Sequence, residues 1–187
     1  MRADLADVVQ EAARRLGGRY EWIVSGSAAL LLRGVPVTPG DLDIWCTQEA
    51  LVFFAERTHR DLKLFEDEWI VHSSFELQFR DWTVEVTGQS KIRRTGCVLE
   101  PDAEMFRRAR SPLPVEALED VLAEMLAMDR PAPKRDADRV FSVLSRPGHS
   151  LDLAYFRRRC LDWQVLPDLY RRAFETYVVA HSALPNS

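Results

Sequence analysis

The sequence predicts an α/β (α+β) fold: a mixed β-sheet flanked by helices, followed by a C-terminal helical segment. Three observations carry this. Short β-prone apolar runs and alternating stretches occur only in the first half of the chain, interleaved with helical repeats. Beyond about residue 110 only helical periodicity remains. With 47% hydrophobic and 29% charged residues over 187 positions, the chain can bury a substantial core. These observations divide the chain into a core at 1–110 and a helical region at 111–187 that packs on it.

Leu5, Val8, Val9, Ala12, Ala13 and Leu16 recur at helical spacing, and Gly17-Gly18 stops the run. Trp22–Ser25 is short, apolar and β-prone, which suits a buried strand. Ser27–Arg33 reads as a helix with Ser27 as its N-cap, ended by Gly34 with Pro36 just beyond. Thr38-Pro39-Gly40 makes a turn, and Asp41–Cys46 follows as a second strand. Leu51–Arg60 is helical in pattern. Phe75–Phe79 and Trp82–Val86 alternate strictly about a turn at Asp81, the pattern of a hairpin. Lys91–Gly96 reads as a basic loop. Helical patterns then cover Leu118–Met128, a stretch from Asp136, Leu151–Cys160 and Leu166–Ala180, broken at Pro131–Pro133 and Arg146–His149.

Composition excludes several classes of protein. The net charge of −4, from 25 basic and 29 acidic residues, disfavours long nucleic acid as a partner, which wants a basic stripe. Cys46, Cys97 and Cys160 are odd in number and widely spaced, as expected of buried reduced thiols in a cytoplasmic protein. His59, His72, His149 and His181 share no metal-like spacing and read as surface or satisfied histidines. No apolar run is long enough to cross a membrane as a helix.

Two features within Trp22–Cys46 bear on chemistry. Gly26-Ser27 sits where an apolar strand gives way to a helix. Glycine admits a ligand close to the backbone, and a serine hydroxyl with nearby amides can face an anion. Asp41 and Asp43 lie on one face of the next strand. Paired oxygen donors of this kind suit Mg²⁺, which is held by one or two carboxylates together with substrate phosphates. Taken singly, the two are better explained as a capped strand-to-helix turn and a solvated strand face.

Taken together, Gly26-Ser27-Ala28-Ala29-Leu30, Gly34 and Asp41-Leu42-Asp43 resemble the signature of the nucleotidyltransferase superfamily with the DNA polymerase β-like fold. The likeness is to its small bacterial members, the minimal, toxin–antitoxin-type and antibiotic nucleotidyltransferases. Val37 stands where those relatives often carry arginine, and Pro39-Gly40 lengthens the spacer by one residue. The family's third acid falls on Glu85, opposite in face to Trp82, Val84 and Val86, where aspartate is commoner. Glu76 and Asp81 are weaker candidates. The later pattern Leu113–Leu122, Arg130, Lys134-Arg135-Asp136-Ala137-Asp138 matches the family's helical tail, with Met125 in place of a frequent lysine.

The resemblance implies a nucleotidyltransferase-like sheet and a Mg²⁺-dependent transfer of a nucleoside monophosphate. The donor would be a nucleoside triphosphate such as ATP and the acceptor a hydroxyl, with release of pyrophosphate. It implies Asp41, Asp43 and Glu85 as ligands of Mg²⁺ or Mn²⁺, and Gly26 and Ser27 as the phosphate cradle. Lys134 and Arg135 would reach triphosphate oxygens, and Arg130 the nucleotide. The alternatives are a nucleotide-binding module without turnover and a toxin–antitoxin component whose tail docks a protein partner.

Overall fold

A computed structural model describes residues 4–109, 113–131, 136–146 and 148–182. The chain divides into two compact units, Met1–Val121 and Leu122–Ser187.

In the first unit, helix α1 (Leu5–Leu16) is capped by Asp4, whose carboxylate accepts from the Ala6 amide. Strand β1 (Trp22–Ser25) runs directly into α2 (Gly26–Leu32). Strand β2 (Leu42–Cys46) leads into α3 (Gln48–Thr58), capped by Thr47. Strands β3 (Lys63–Glu66), β4 (Ile70–Phe79), β5 (Trp82–Ile92) and β6 (Val98–Leu99) follow, then α4 (Ala103–Ala109). The sheet order is β1-β2-β5-β4-β3, with β6 pairing the far end of β5. Among the described strand pairs β2 and β5 run parallel and the others antiparallel. This is the mixed sheet flanked by helices that the sequence predicts.

Register sorts the two sheet faces. Leu42 lies opposite Val84, which lies opposite Leu77, and Val24, Ile44, Val86 and Phe75 form a second apolar row. All seven are buried, and α3 covers this face closely. A Cβ added at Gly88 would stand 3.2 Å from Leu51 Cβ and 2.7 Å from Gln48 Oε1, so only glycine fits there. The segment after α4 lies along the outer edge of β1. Val24 N–H donates to Pro114 O (2.7 Å), Glu116 N–H donates to Val24 O (2.9 Å), and Arg33 Nε donates to Glu116 O (2.9 Å).

Helix α5 (Leu118–Met128) crosses the division between the units. The second unit holds α6 (Asp136–Leu144), α7 (Leu153–Asp162) and α8 (Pro167–Ser182). Phe156 and Tyr170 meet at 6.1 Å between ring centroids, and the buried Arg159 donates to Tyr155 Oη (2.9 Å). Among the described residues no helix is long and apolar enough to cross a membrane.

Several boundaries differ from expectation. Ser27 does not cap α2: the helix begins at Gly26, Ser25 holds the N-cap position, and no side-chain cap bond forms. Gly26 adopts φ +60°, which turns the strand into the helix without a capping hydroxyl. Asp41 precedes β2 rather than opening it. Lys91 and Ile92 end β5 and do not belong to a loop.

Candidate functional site

The parallel register of β2 and β5 sets Asp43 directly beside Glu85. The row extends through Ser25 on β1 and Glu76 on β4, both paired at the same level. Directly opposed residues share a face, so Ser25, Asp43, Glu85 and Glu76 form one polar line across four strands. The apolar rows on either side of this line point to the opposite, buried face. Ser25 is buried, Asp43 and Glu85 are half-buried, and Glu76 is exposed.

Gly26 abuts this line. A Cβ added there would run into Asp43 Oδ2, and the positive φ disfavours any other residue. The Asp43 carboxylate thus occupies the space left by the missing side chain, at the point where β1 becomes α2. Ser27 follows, half-buried in the first turn.

On the other side of the line, His72 Nε2 stands 3.4 Å from Glu85 Oε1. The His72 contact holds the Glu85 carboxyl below its usual range; burial opposes this, and a hydrogen bond from Ser74 reinforces it. His72 is therefore a neighbour of the site, not an unengaged surface histidine. Strand β4 extends five residues upstream of the predicted Phe75, which puts His72, Ser74 and Glu76 on the Glu85 face. The clue in the sequence is the spacing 72–74–76, which stays regular on β4 because the extra residue at the register shift lies on β5.

The remaining sequence-predicted residues separate. Asp41 is exposed in the bend before β2. Asp81 lies in the β4–β5 turn. Arg130 is engaged locally: its Nε donates to Asp136 Oδ2 (2.8 Å) and its Nη2 to Oδ1 (3.3 Å), while the Asp136 side chain is fully buried. Lys134 and Arg135 lie outside the described residues. A cleft of ≈ 630 Å³ in the first unit is lined by Asp7, Glu11, Arg14, Arg15, Phe79 and Arg80 among others, and includes none of the site residues.

The donor chemistry can be tested against Mg²⁺. Asp43 and Glu85 offer hard oxygen ligands side by side. Among the described residues, no group of three or more His, Cys, Asp or Glu side chains gathers as a metal cage, so Asp41 is not drawn in with the other two. Mg²⁺ needs no all-protein cage; one or two carboxylates beside phosphate oxygens suffice. The Asp43–Glu85 pair fits an ion shared with a phosphate-bearing ligand.

No protein-family model matches the chain, and no curated protein matches it in sequence. Among solved structures, a Thermotoga maritima protein described as a candidate nucleotidyltransferase matches with a TM-score of 0.54 and 21% identity, covering 74% of this chain and 91% of its own. That similarity establishes the nucleotidyltransferase-like fold.

Proposed function

We propose that the chain is a nucleotidyltransferase that moves a nucleoside monophosphate from a nucleoside triphosphate to a hydroxyl acceptor. The carrying observation is the juxtaposition of Asp43 and Glu85 on parallel neighbours, with the side-chain-free Gly26 against Asp43. The fold shared with the Thermotoga maritima protein supports the reading.

Gly26 and Ser27 would admit the β- and γ-phosphates close to the backbone. Asp43 and Glu85 would hold Mg²⁺ or Mn²⁺. When bound, the ion supplies charge neutralisation on the phosphates and a lowered pKa for the acceptor hydroxyl. The acceptor oxygen attacks the α-phosphorus, the bond from that phosphorus to the bridging oxygen breaks, and pyrophosphate leaves on the Gly26–Ser27 side. Glu85 takes the hydroxyl proton. Holding the reactants in line accounts for most of the acceleration such a site would give.

A second reading, nucleotide binding without turnover, is favoured by two observations: the three acids do not gather, and Glu85 is already engaged by His72 and Ser74. One experiment separates the two. Calorimetry with Mg²⁺ and the non-hydrolysable analogue AMPCPP reads binding, and pyrophosphate release from each of the four triphosphates reads turnover. Asp43→Asn and Glu85→Gln should each lower turnover by about 10²-fold or more, the scale for losing an electrostatic stabiliser. Mg²⁺-dependent binding with no pyrophosphate supports the second reading. AMPCPP affinity in the double variant equal to wild type refutes both.

A further inference from the structure

The polar line has two unlike ends. At the β1 end stand Ser25 and the side-chain-free Gly26. Off the β4 end, four residues along the strand from Glu76, stands an aromatic wall: Phe65 on β3 lies opposite His72 on β4, and their rings stack at 4.8 Å between centroids with an interplanar angle of 17°. His72 is largely enclosed, between Phe65 and Glu85. Phe65 is 45% exposed on the terminal strand of the sheet order. The His72 imidazole therefore stands between the half-exposed Phe65 ring and the Glu85 carboxylate. Lys63, in register with Ser74, and Glu76, in register with Glu85, are exposed on the same face and flank this wall with one charge of each sign.

We infer that this wall is the acceptor subsite, and that it takes a ring-bearing hydroxyl compound rather than an open-chain alcohol. The inference rests on the nucleotidyl-transfer reading above. In an in-line displacement the incoming and leaving oxygens lie on opposite sides of the phosphorus. With pyrophosphate leaving toward Gly26 and Ser27, the acceptor must enter from the Glu85 side, and what that side offers is the Phe65–His72 stack. A half-exposed aromatic ring is suited to receive another ring, a phenolic ring or a sugar's C–H surface. A flexible chain alcohol would gain little from it. His72 acts as a positioning residue, with one ring edge against Glu85 and one face against Phe65. Phenolic and sugar acceptors share the chemistry that this wall reads, and separate probes distinguish them.

The test uses the full chain with MgATP. Pyrophosphate release is measured with tyramine, methyl glucoside and glycerol as acceptor probes, in wild type and in Phe65→Ala, Phe65→Leu and Phe65→Trp. AMPCPP affinity is measured in parallel by calorimetry. We expect kcat/KM for one ring probe to exceed that for glycerol by about tenfold or more. Phe65→Ala should remove that preference, Phe65→Leu should remove most of it, and Phe65→Trp should retain it, with AMPCPP affinity staying within about twofold throughout. Circular dichroism confirms that each variant is folded; the leucine and tryptophan variants keep the edge strand's apolar bulk should the alanine variant lose it. Equal use of ring and chain probes, or a ring preference that survives Phe65→Ala, overturns the subsite. So does AMPCPP binding with no transfer to any ring probe, which leaves the nucleotide reading standing. Failure of wild type to bind AMPCPP overturns the underlying reading, and the subsite with it.

Discussion

Gly26→Ala puts the junction of core and site under direct strain. The residue sits at φ +60°, where an L-amino acid pays roughly 1–2 kcal/mol for its Cβ. That Cβ would also run into Asp43 Oδ2. Forcing an extra carbon into a filled space costs about 1–3 kcal/mol more. The sum is about 2–5 kcal/mol, and at about 2–4 °C per kcal/mol for a chain of this size the melting temperature should fall by roughly 10 °C. The two contributions separate in a double-mutant cycle. In an Asp43→Ala background the clash is gone, so Gly26→Ala should cost only the backbone part, leaving a coupling of about 1–3 kcal/mol between the sites. Urea denaturation of the four proteins gives all the terms. A Gly26→Ala penalty that is the same with and without the Asp43 carboxylate would refute the claim that this carboxylate fills the glycine's missing side chain.

Two further predictions concern buried groups. Burial, with a smaller contribution from Glu100, pushes the Cys46 thiol up to about 12, and burial does the same for Cys160. At pH 8 roughly one thiol in ten thousand is then ionised, so neither should react with Ellman's reagent until guanidinium unfolds the chain. Because the folded pKa values are raised above the ordinary 9.0, the stability they confer is complete below pH 9 and is lost as pH rises toward 12. Urea midpoints that fall less steeply over that range in Cys46→Ala/Cys160→Ala would confirm the sign, and an unchanged slope would contradict it. Arg130→Ala removes the guanidinium from the buried Asp136 carboxylate but leaves the Arg130 amide, whose N–H donates to Asp136 Oδ2 at 3.2 Å. With the Arg130 amide still donating and Arg130 one-third exposed, the expected loss is about 2–3 kcal/mol. Arg130→Lys should recover less than half of it, since an ammonium cannot reproduce the two-nitrogen contact.

Much of this fold was legible because its elements bury one face at a regular period. Helix α1 has Leu5, Val8, Val9, Ala12 and Leu16 buried along a single stripe, and its bounds match the expectation at both ends. The β4–β5 hairpin was visible for the same reason, whereas β1, buried at all four positions, showed itself as a short apolar β-prone run. Strand β3 was not: all four of its residues are exposed at a sheet edge, so burial imposes no alternation on them. The two residues of β6 are too few to show a period. Strand β4 was read short because Ser73 interrupts the apolar alternation of Phe75, Leu77 and Phe79, while the extra residue at the register shift falls on β5. His72 was read as a surface or satisfied histidine and Phe65 was not singled out, because Ser73 interrupts the pattern of one strand and exposure at the sheet edge removes that of the other. Asp43 and Glu85 were found, but their adjacency is a matter of strand order, which places β5 beside β2 although β3 and β4 intervene in the chain.

That adjacency is held in place by the core. Asp43 and Glu85 alternate with Leu42, Ile44, Val84 and Val86, and the same register that sets acid beside acid sets Leu42 against Val84 and Ile44 against Val86. A slip of β5 by one residue would bring Val84 or Val86 beside Asp43. It would also turn Glu85 toward the face where Leu51 packs on the sheet, burying an uncompensated carboxylate at a cost of several kcal/mol. The parallel pairing of β2 and β5 is therefore fixed by hydrophobic burial on one face, and the chemistry on the other face inherits that precision. This is why the acids need no local device to align them, and why conservative changes at Ile44 or Val86 are expected to disturb the Asp43–Glu85 pair before they disturb any loop around it.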